Sequence, residues 1–148
     1  MIAQQTCLIV EDSDVVRKVM RHIIEGLGFS VNDVATTDEA LARCRRELPD
    51  LIVLDWNILG SHPIEFIVAV RSLPSGRQPK IVYVITNNDS AEISRALTAG
   101  ANDYLLKPFQ RVSLEAKVAA LTTRKRDAGD DDADYVQLQV RSALGTSR

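Results

Sequence analysis

A chain of 148 residues, 45% of them apolar, is long enough for one sizeable core and too short for two ordinary domains. Eighteen basic against 20 acidic side chains leave no bulk charge to attract nucleic acid or an anionic membrane, so any partner is recognised locally. The two cysteines, Cys7 and Cys44, have no metal-site spacing and read as small core residues in a reducing compartment. No basic segment followed by a long apolar run opens the chain and no stretch nears eighteen apolar residues, which points to the cytoplasm and to no membrane insertion.

In chain order, a short apolar strand is predicted over residues 6–10, followed by a helix over about 14–27 that ends at Gly28. The apolar face of that helix is read as Val15, Val16, Val19, Ile23 and Ile24. A strand over 30–35 and a helix over about 38–48, stopped by Pro49, come next. A strand over 51–54 leads to a helix that begins near Pro63 and reaches about 73, before a Pro74-Ser75-Gly76 turn. A strand over 80–85, a helix over 90–99 ending at Gly100, a strand over 103–106 and a helix over about 110–126 complete the series. The last helix is read as turning Val112, Ala116, Ala119 and Ala120 toward the sheet. Residues 1–126 thus form one domain. Residues 127–148 read as an acidic linker, rich in Asp around Gly129, and a tail with a short helical pattern through Val136, Val140, Ala143 and Leu144.

Five strands alternating with five helices predict an open, doubly wound α/β sheet, whose chemistry gathers beyond the carboxyl ends of the strands where strand order reverses. Glu11 and Asp12, Asp55, Thr86 and Lys107 all fall directly after predicted strands and should share one cleft. Three carboxylates in one cleft repel unless a hard cation sits among them, and Mg2+ suits such oxygen ligands while leaving positions for phosphate. In such a site Asp55 is placed to be a phosphoryl nucleophile, Lys107 a point charge and Thr86 a hydroxyl donor. No histidine lies in the motif, so the phosphoryl donor has to come from outside.

Leu8-Ile9-Val10-Glu11-Asp12-Ser13, Leu54-Asp55-Trp56-Asn57, Val84-Ile85-Thr86, Ala99-Gly100-Ala101-Asn102-Asp103-Tyr104 and Lys107-Pro108-Phe109 stand in an order and spacing that resemble the response-regulator receiver family. The resemblance covers about residues 6–121, and the Asp-Trp-Asn and Lys-Pro-Phe runs look most like CheY-type chemotaxis proteins. It implies the flavodoxin-like strand order 2-1-3-4-5. It also implies Mg2+ held by Glu11, Asp12, Asp55 and the backbone carbonyl of Asn57, Asp55 as phosphoacceptor, and Thr86 and Lys107 as phosphate contacts. Thr86 and Tyr104 would be the switch pair, and the Lys107-Pro108 bond is typically cis. The implied role is a stand-alone response regulator, not an enzyme on other substrates. It would be phosphorylated by a histidine kinase or phosphotransfer protein and dock onto an output protein such as a flagellar switch component or kinase, with no DNA contact. One departure stands out: where CheY-like chains follow Asp-Trp-Asn with Met-Pro and later a Gly, this chain reads Ile58-Leu59-Gly60-Ser61-His62-Pro63, a rebuilt loop at the mouth of the site.

Thr86 would alternatively cap the fourth helix, Tyr104 would be an ordinary half-buried aromatic, and Trp56 a partly exposed rim residue. His22 and His62 have no spaced partners and read as surface residues. Asp12-Ser13-Asp14 resembles the nucleophile motif of haloacid-dehalogenase-type phosphatases, with Asp12 as nucleophile and the segment 129–134 as a second motif. That segment follows a charged run rather than a buried strand, which argues against it. Arg124, Arg126 and Asp127 make an RxxD-like pattern resembling some cyclic di-GMP effectors, although basic residues ending a helix also complement its dipole.

Overall fold

The computed structural model describes residues 4–122. The acidic linker, the proposed tail helix, the second phosphatase-like motif, and Arg124, Arg126 and Asp127 lie outside the described residues. The elements run β1 (Thr6–Val10), α1 (Asp14–Gly26), β2 (Ser30–Val34), α2 (Thr37–Arg46), β3 (Leu51–Asp55), α3 (Pro63–Arg71), β4 (Lys80–Ile85), α4 (Ser90–Ala99), β5 (Asp103–Leu106) and α5 (Arg111–Thr122). The strands form one parallel sheet in the order β2-β1-β3-β4-β5, as the flavodoxin-like expectation had it. Val10 pairs with both Val34 and Leu54, Asp55 with Val84, and Ile85 with Leu106, which brings the carboxyl ends of neighbouring strands level.

Side-chain alternation along each strand divides the core into two layers. Cys7, Ile9, Leu51, Val53, Val82 and Val84 pack on one face with Met20, Ile23 and Ile24 of α1 and Leu114 and Val118 of α5. Leu8, Val10, Ile52, Leu54, Ile81 and Tyr83 pack on the other with Ala40 of α2, Phe66 and Ile67 of α3 and Ala96 of α4. Cys7 and Cys44 are free thiols, both buried. Among the described residues no helix is long and apolar enough to cross a membrane.

Two helix faces differ from the expectation. Val15 and Val19 stand outward at 72% and 49% exposure, and α1 packs instead through Val16, Met20, Ile23 and Ile24, an i, i+4, i+7, i+8 stripe. Val112 is likewise exposed, and α5 packs through Leu114, Val118 and Leu121 with Lys117 buried beside them, its ammonium 3.0 Å from both Asp103 carboxylate oxygens. Ala116, Ala119 and Ala120 are only half-buried.

The helix ends also shift for local reasons. Thr36, whose hydroxyl accepts from the Glu39 N–H at 3.2 Å, starts α2 one residue before the predicted point. Glu47 already has an extended backbone, so α2 ends before Leu48, the residue that the Pro49 ring keeps out of helical space. Gly28 turns the chain after α1 with φ 95°, a conformation open to glycine.

Candidate functional site

Strand order reverses between β1 and β3, and the loops leaving their carboxyl ends run to opposite faces of the sheet, opening a crevice. Glu11 and Asp12 follow β1, and Asp55 is the last residue of β3. One carboxylate oxygen from each lies within 4.8 Å of the others. Glu11 and Asp55 are buried and Asp12 is exposed. Lys107, the residue after β5, places its ammonium 2.9 Å from Glu11 Oε2 and 2.9 Å from Asp55 Oδ1. It donates a directed hydrogen bond to Glu11, whereas its approach to Asp55 Oδ1 is an ion pair without hydrogen-bond alignment.

The acidic loop after β1 is held at several points. The Glu11 N–H donates to the Val34 carbonyl at 3.1 Å, continuing the strand ladder by one residue. Its side chain accepts from the Ser13 N–H at 3.2 Å, and Ser13 caps α1 by accepting from the Val16 N–H at 3.3 Å. Arg17, one turn into α1, donates to the Glu11 carbonyl at 2.8 Å and is itself fixed by Asp33 at 3.1 Å and by Asp14. Sequence reasoning missed Arg17. The Asp14/Arg17 spacing of i, i+3 was its one visible trace, and it reports a helix pair rather than a carbonyl contact.

Asp55 is oriented by the Asn57 N–H, which donates to Oδ2 at 3.3 Å. Burial pushes its carboxyl up from an ordinary 3.8 to about 6, and the charge of Glu11 adds to this while Lys107 and the Asn57 N–H oppose it. For Lys107, burial works toward a lower value, but the two carboxylates outweigh it and hold the ammonium above its usual range. Three carboxylates against one ammonium leave excess negative charge in a buried crevice. Oxygen donors at this spacing, one of them facing solvent, fit a hard divalent cation such as Mg2+.

The rebuilt loop after β3 closes as a turn, Ser61 N–H to the Ile58 carbonyl at 3.0 Å, with Gly60 at φ 72°. Ile58 is buried, Leu59 is 91% exposed, and the Leu59 N–H donates to Asp12 Oδ2 at 3.3 Å, so the loop reaches the cluster through its backbone. Pro63 takes the first position of α3 as its missing N–H allows. His22 and His62 are exposed.

Thr86 follows β4 and is exposed. It does not cap α4: Asp89 does, accepting from the Ala91 and Glu92 N–H groups at 3.0 and 3.2 Å. Its hydroxyl instead accepts from Trp56 Nε1 at 2.9 Å, a contact that sequence reasoning did not foresee. Tyr104 is half-buried against the core layer under α2, α3 and α4, and the Lys117 ammonium lies 5.2 Å from its ring centre. Among the described residues neither Thr86 nor Tyr104 hydrogen-bonds to the acidic cluster, whereas Glu11, Asp12, Asp55 and Lys107 are brought together. The Lys107-Pro108 peptide is cis.

A family model described as the response regulator receiver domain matches residues 7–119. Among curated relatives, the phosphate regulon transcriptional regulatory protein PhoB of Rhizobium meliloti (strain 1021) is 34% identical over 118 residues, which is 80% of this chain and 52% of that protein. The KDP operon transcriptional regulatory protein KdpE of Escherichia coli (strain K12) is 37% identical over 117 residues, 79% of this chain and 51% of that one. The chain therefore spans about half the length of the curated relatives it matches. Among solved structures, the chemotaxis response regulator CheY4 of Vibrio cholerae superposes with a TM-score of 0.75 at 26% identity, covering 80% of this chain and 99% of that one. The receiver domain of the sensor histidine kinase PA1611 of Pseudomonas aeruginosa PAO1, with a magnesium ion coordinated in its active site cleft, gives 0.72 at 29% identity, covering 80% and 98%.

Proposed function

The chain belongs to the response regulator receiver domain family, and from that premise we propose that it accepts a phosphoryl group on Asp55 from a histidine kinase or an intermediate phosphotransfer protein. The observation that carries this reading is a buried carboxylate at the strand-order reversal, within ligand distance of Glu11 and Asp12 and ion-paired to Lys107 at 2.9 Å. Mg2+ would be held by Glu11, Asp12, Asp55 and the backbone carbonyl of Asn57, and when bound it supplies charge neutralisation for phosphoryl oxygens. An Asp55 carboxylate oxygen attacks phosphorus, an O–P bond forms, the P–N bond to the donor imidazole breaks, and its electron pair leaves with the ring. Lys107 meets negative charge on the transferring group, and Thr86 donates its hydroxyl to the new phosphate.

The chemistry is self-directed: the domain modifies its own aspartate and serves as a signalling element rather than an enzyme on other substrates. With the two buried, unpaired thiols in keeping with a reducing compartment, we place it in a cytoplasmic phosphorelay. Its output is a changed docking surface around α4, β5 and α5, read by a partner protein, with Thr86 and Tyr104 as the residues that change. The match covers about half of the relatives named as transcriptional regulators, so their role is not carried over.

Intact-mass measurement after incubation with acetyl phosphate and Mg2+ tests the assignment. One phosphoryl adduct is expected on the native chain and none on Asp55→Asn, while Lys107→Ala should slow adduct formation by about a hundredfold or more. An undiminished adduct on Asp55→Asn moves the acceptor elsewhere.

A further inference from the structure

We propose that Trp56 is a positioning residue whose indole N–H tethers the Thr86 hydroxyl and so favours the resting state of the switch. The inference rests on the phosphoacceptor reading above and deepens it. Trp56 follows β3 and Thr86 follows β4, on neighbouring strands paired through Asp55 and Val84. The Trp56 backbone N–H donates to the Val84 carbonyl at 2.9 Å, and its ring packs on the core layer that faces α2, α3 and α4. The backbone is thus fixed at the strand end and the ring rests against the core. Its Nε1 lies 2.9 Å from Thr86 Oγ1, and among the described residues this is the only hydrogen bond of that otherwise exposed side chain.

A hydroxyl has one proton and two lone pairs. The indole occupies one lone pair and leaves the proton free, so the bond does not remove the capacity of Thr86 to donate to phosphate. It fixes where the oxygen sits. Moving that oxygen onto a phosphoryl group at Asp55 gives up the indole bond, because the ring is held by strand and core contacts and does not follow. The resting arrangement is therefore favoured by one neutral hydrogen bond, equivalent to roughly a fivefold bias in population. Asp55 itself hydrogen-bonds to neither partner, so removing the indole N–H releases Thr86 without touching the nucleophile.

The test is a double-mutant cycle on the full chain with acetyl phosphate and Mg2+, read by intact mass. Trp56→Phe keeps a ring without the N–H, and Thr86→Val keeps the shape without the hydroxyl. Trp56→Phe is expected to accumulate adduct roughly fivefold faster than the native chain, and to make no difference in the Thr86→Val background. Trp56→Met repeats the comparison if the Phe variant loses its cooperative melt. As a signature independent of phosphorylation, the resonance of the single indole N–H should move upfield in Thr86→Val. An unchanged rate in Trp56→Phe, an equal acceleration in the Thr86→Val background, or an unmoved indole resonance overturns the proposal. Absence of any adduct on the native chain removes the phosphoacceptor assignment, and this inference with it.

Discussion

Asp55 sits where burial and the neighbouring Glu11 disfavour a negative charge. Its carboxyl is raised to about 6 in the folded chain, so between the ordinary 3.8 and that value the native state holds a proton that the unfolded chain has released. Stability therefore falls as pH rises through this window, and at neutral pH the ionised Asp55 is a net cost. Asp55→Asn, which cannot ionise, is expected to be more stable than the native chain by of order 2 kcal/mol at pH 7.5 without divalent metal. Lys107 keeps its Glu11 partner in that variant. The difference should shrink toward zero near pH 4, where both forms are neutral at this position. Urea midpoints at the two pH values, in chelator, check the sign; a less stable Asp55→Asn at pH 7.5 would show that Lys107 more than offsets the burial. Removing the Tyr83 hydroxyl has the opposite effect on stability. Its fully buried hydroxyl donates to Glu92 Oε1 at 2.7 Å, tying β4 to the first turn of α4, so Tyr83→Phe should cost about 1.5–3 kcal/mol in the same assay.

At the scale of elements, the strands were legible because runs such as Leu51-Ile52-Val53-Leu54 are apolar on both faces, as a covered parallel sheet requires. The helices were legible in existence and less so in phase. In α1, valines lie on both faces, so an apolar count alone fits a stripe through Val15 and Val19 as well as the observed one through Val16 and Met20. In α5, Lys117 reads as a surface residue, yet it is buried because Asp103 pairs with it across the helix–sheet boundary. A buried cation hides the true face until its partner is known.

The outward-facing valines of α1 stand near the proposed site. Asp55 is 3% exposed, so a phosphohistidine donor has to close over the rim of the crevice, and Val15 and Val19 are exposed apolar groups on the helix that begins just after Asp12. Val15→Asp with Val19→Asp is expected to slow transfer from a phosphorylated donor protein at least tenfold while leaving the acetyl phosphate rate and the melting temperature unchanged. Equal slowing with both donors would place the effect on the chemistry instead of on docking.

For the whole molecule, the topology explains why the site was readable from residue order. Parallel strands end at one edge, so acidic, hydroxyl and basic residues that end or directly follow β1, β3, β4 and β5 must converge there, whatever their separation in sequence. What order does not encode is rotamer: the reach of Arg17 to the Glu11 carbonyl, of Trp56 to Thr86 and of the Leu59 N–H to Asp12 depends on side chains and turns settled only by packing. The same convergence would couple the proposed metal binding to global stability. The unfolded chain disperses Glu11, Asp12 and Asp55 over more than forty residues, so a cation that binds their cluster binds the native state alone. Mg2+ at about a hundred times its dissociation constant should then stabilise the chain by about 2.7 kcal/mol, raising the melting temperature by several degrees. Asp12→Asn should lose most of that gain, whereas Asp38→Asn, an exposed carboxylate in the first turn of α2, should keep it. Thermal melts across a Mg2+ series with Na+ at matched ionic strength separate this from screening, and an equal gain in Asp12→Asn would place the cation outside the crevice.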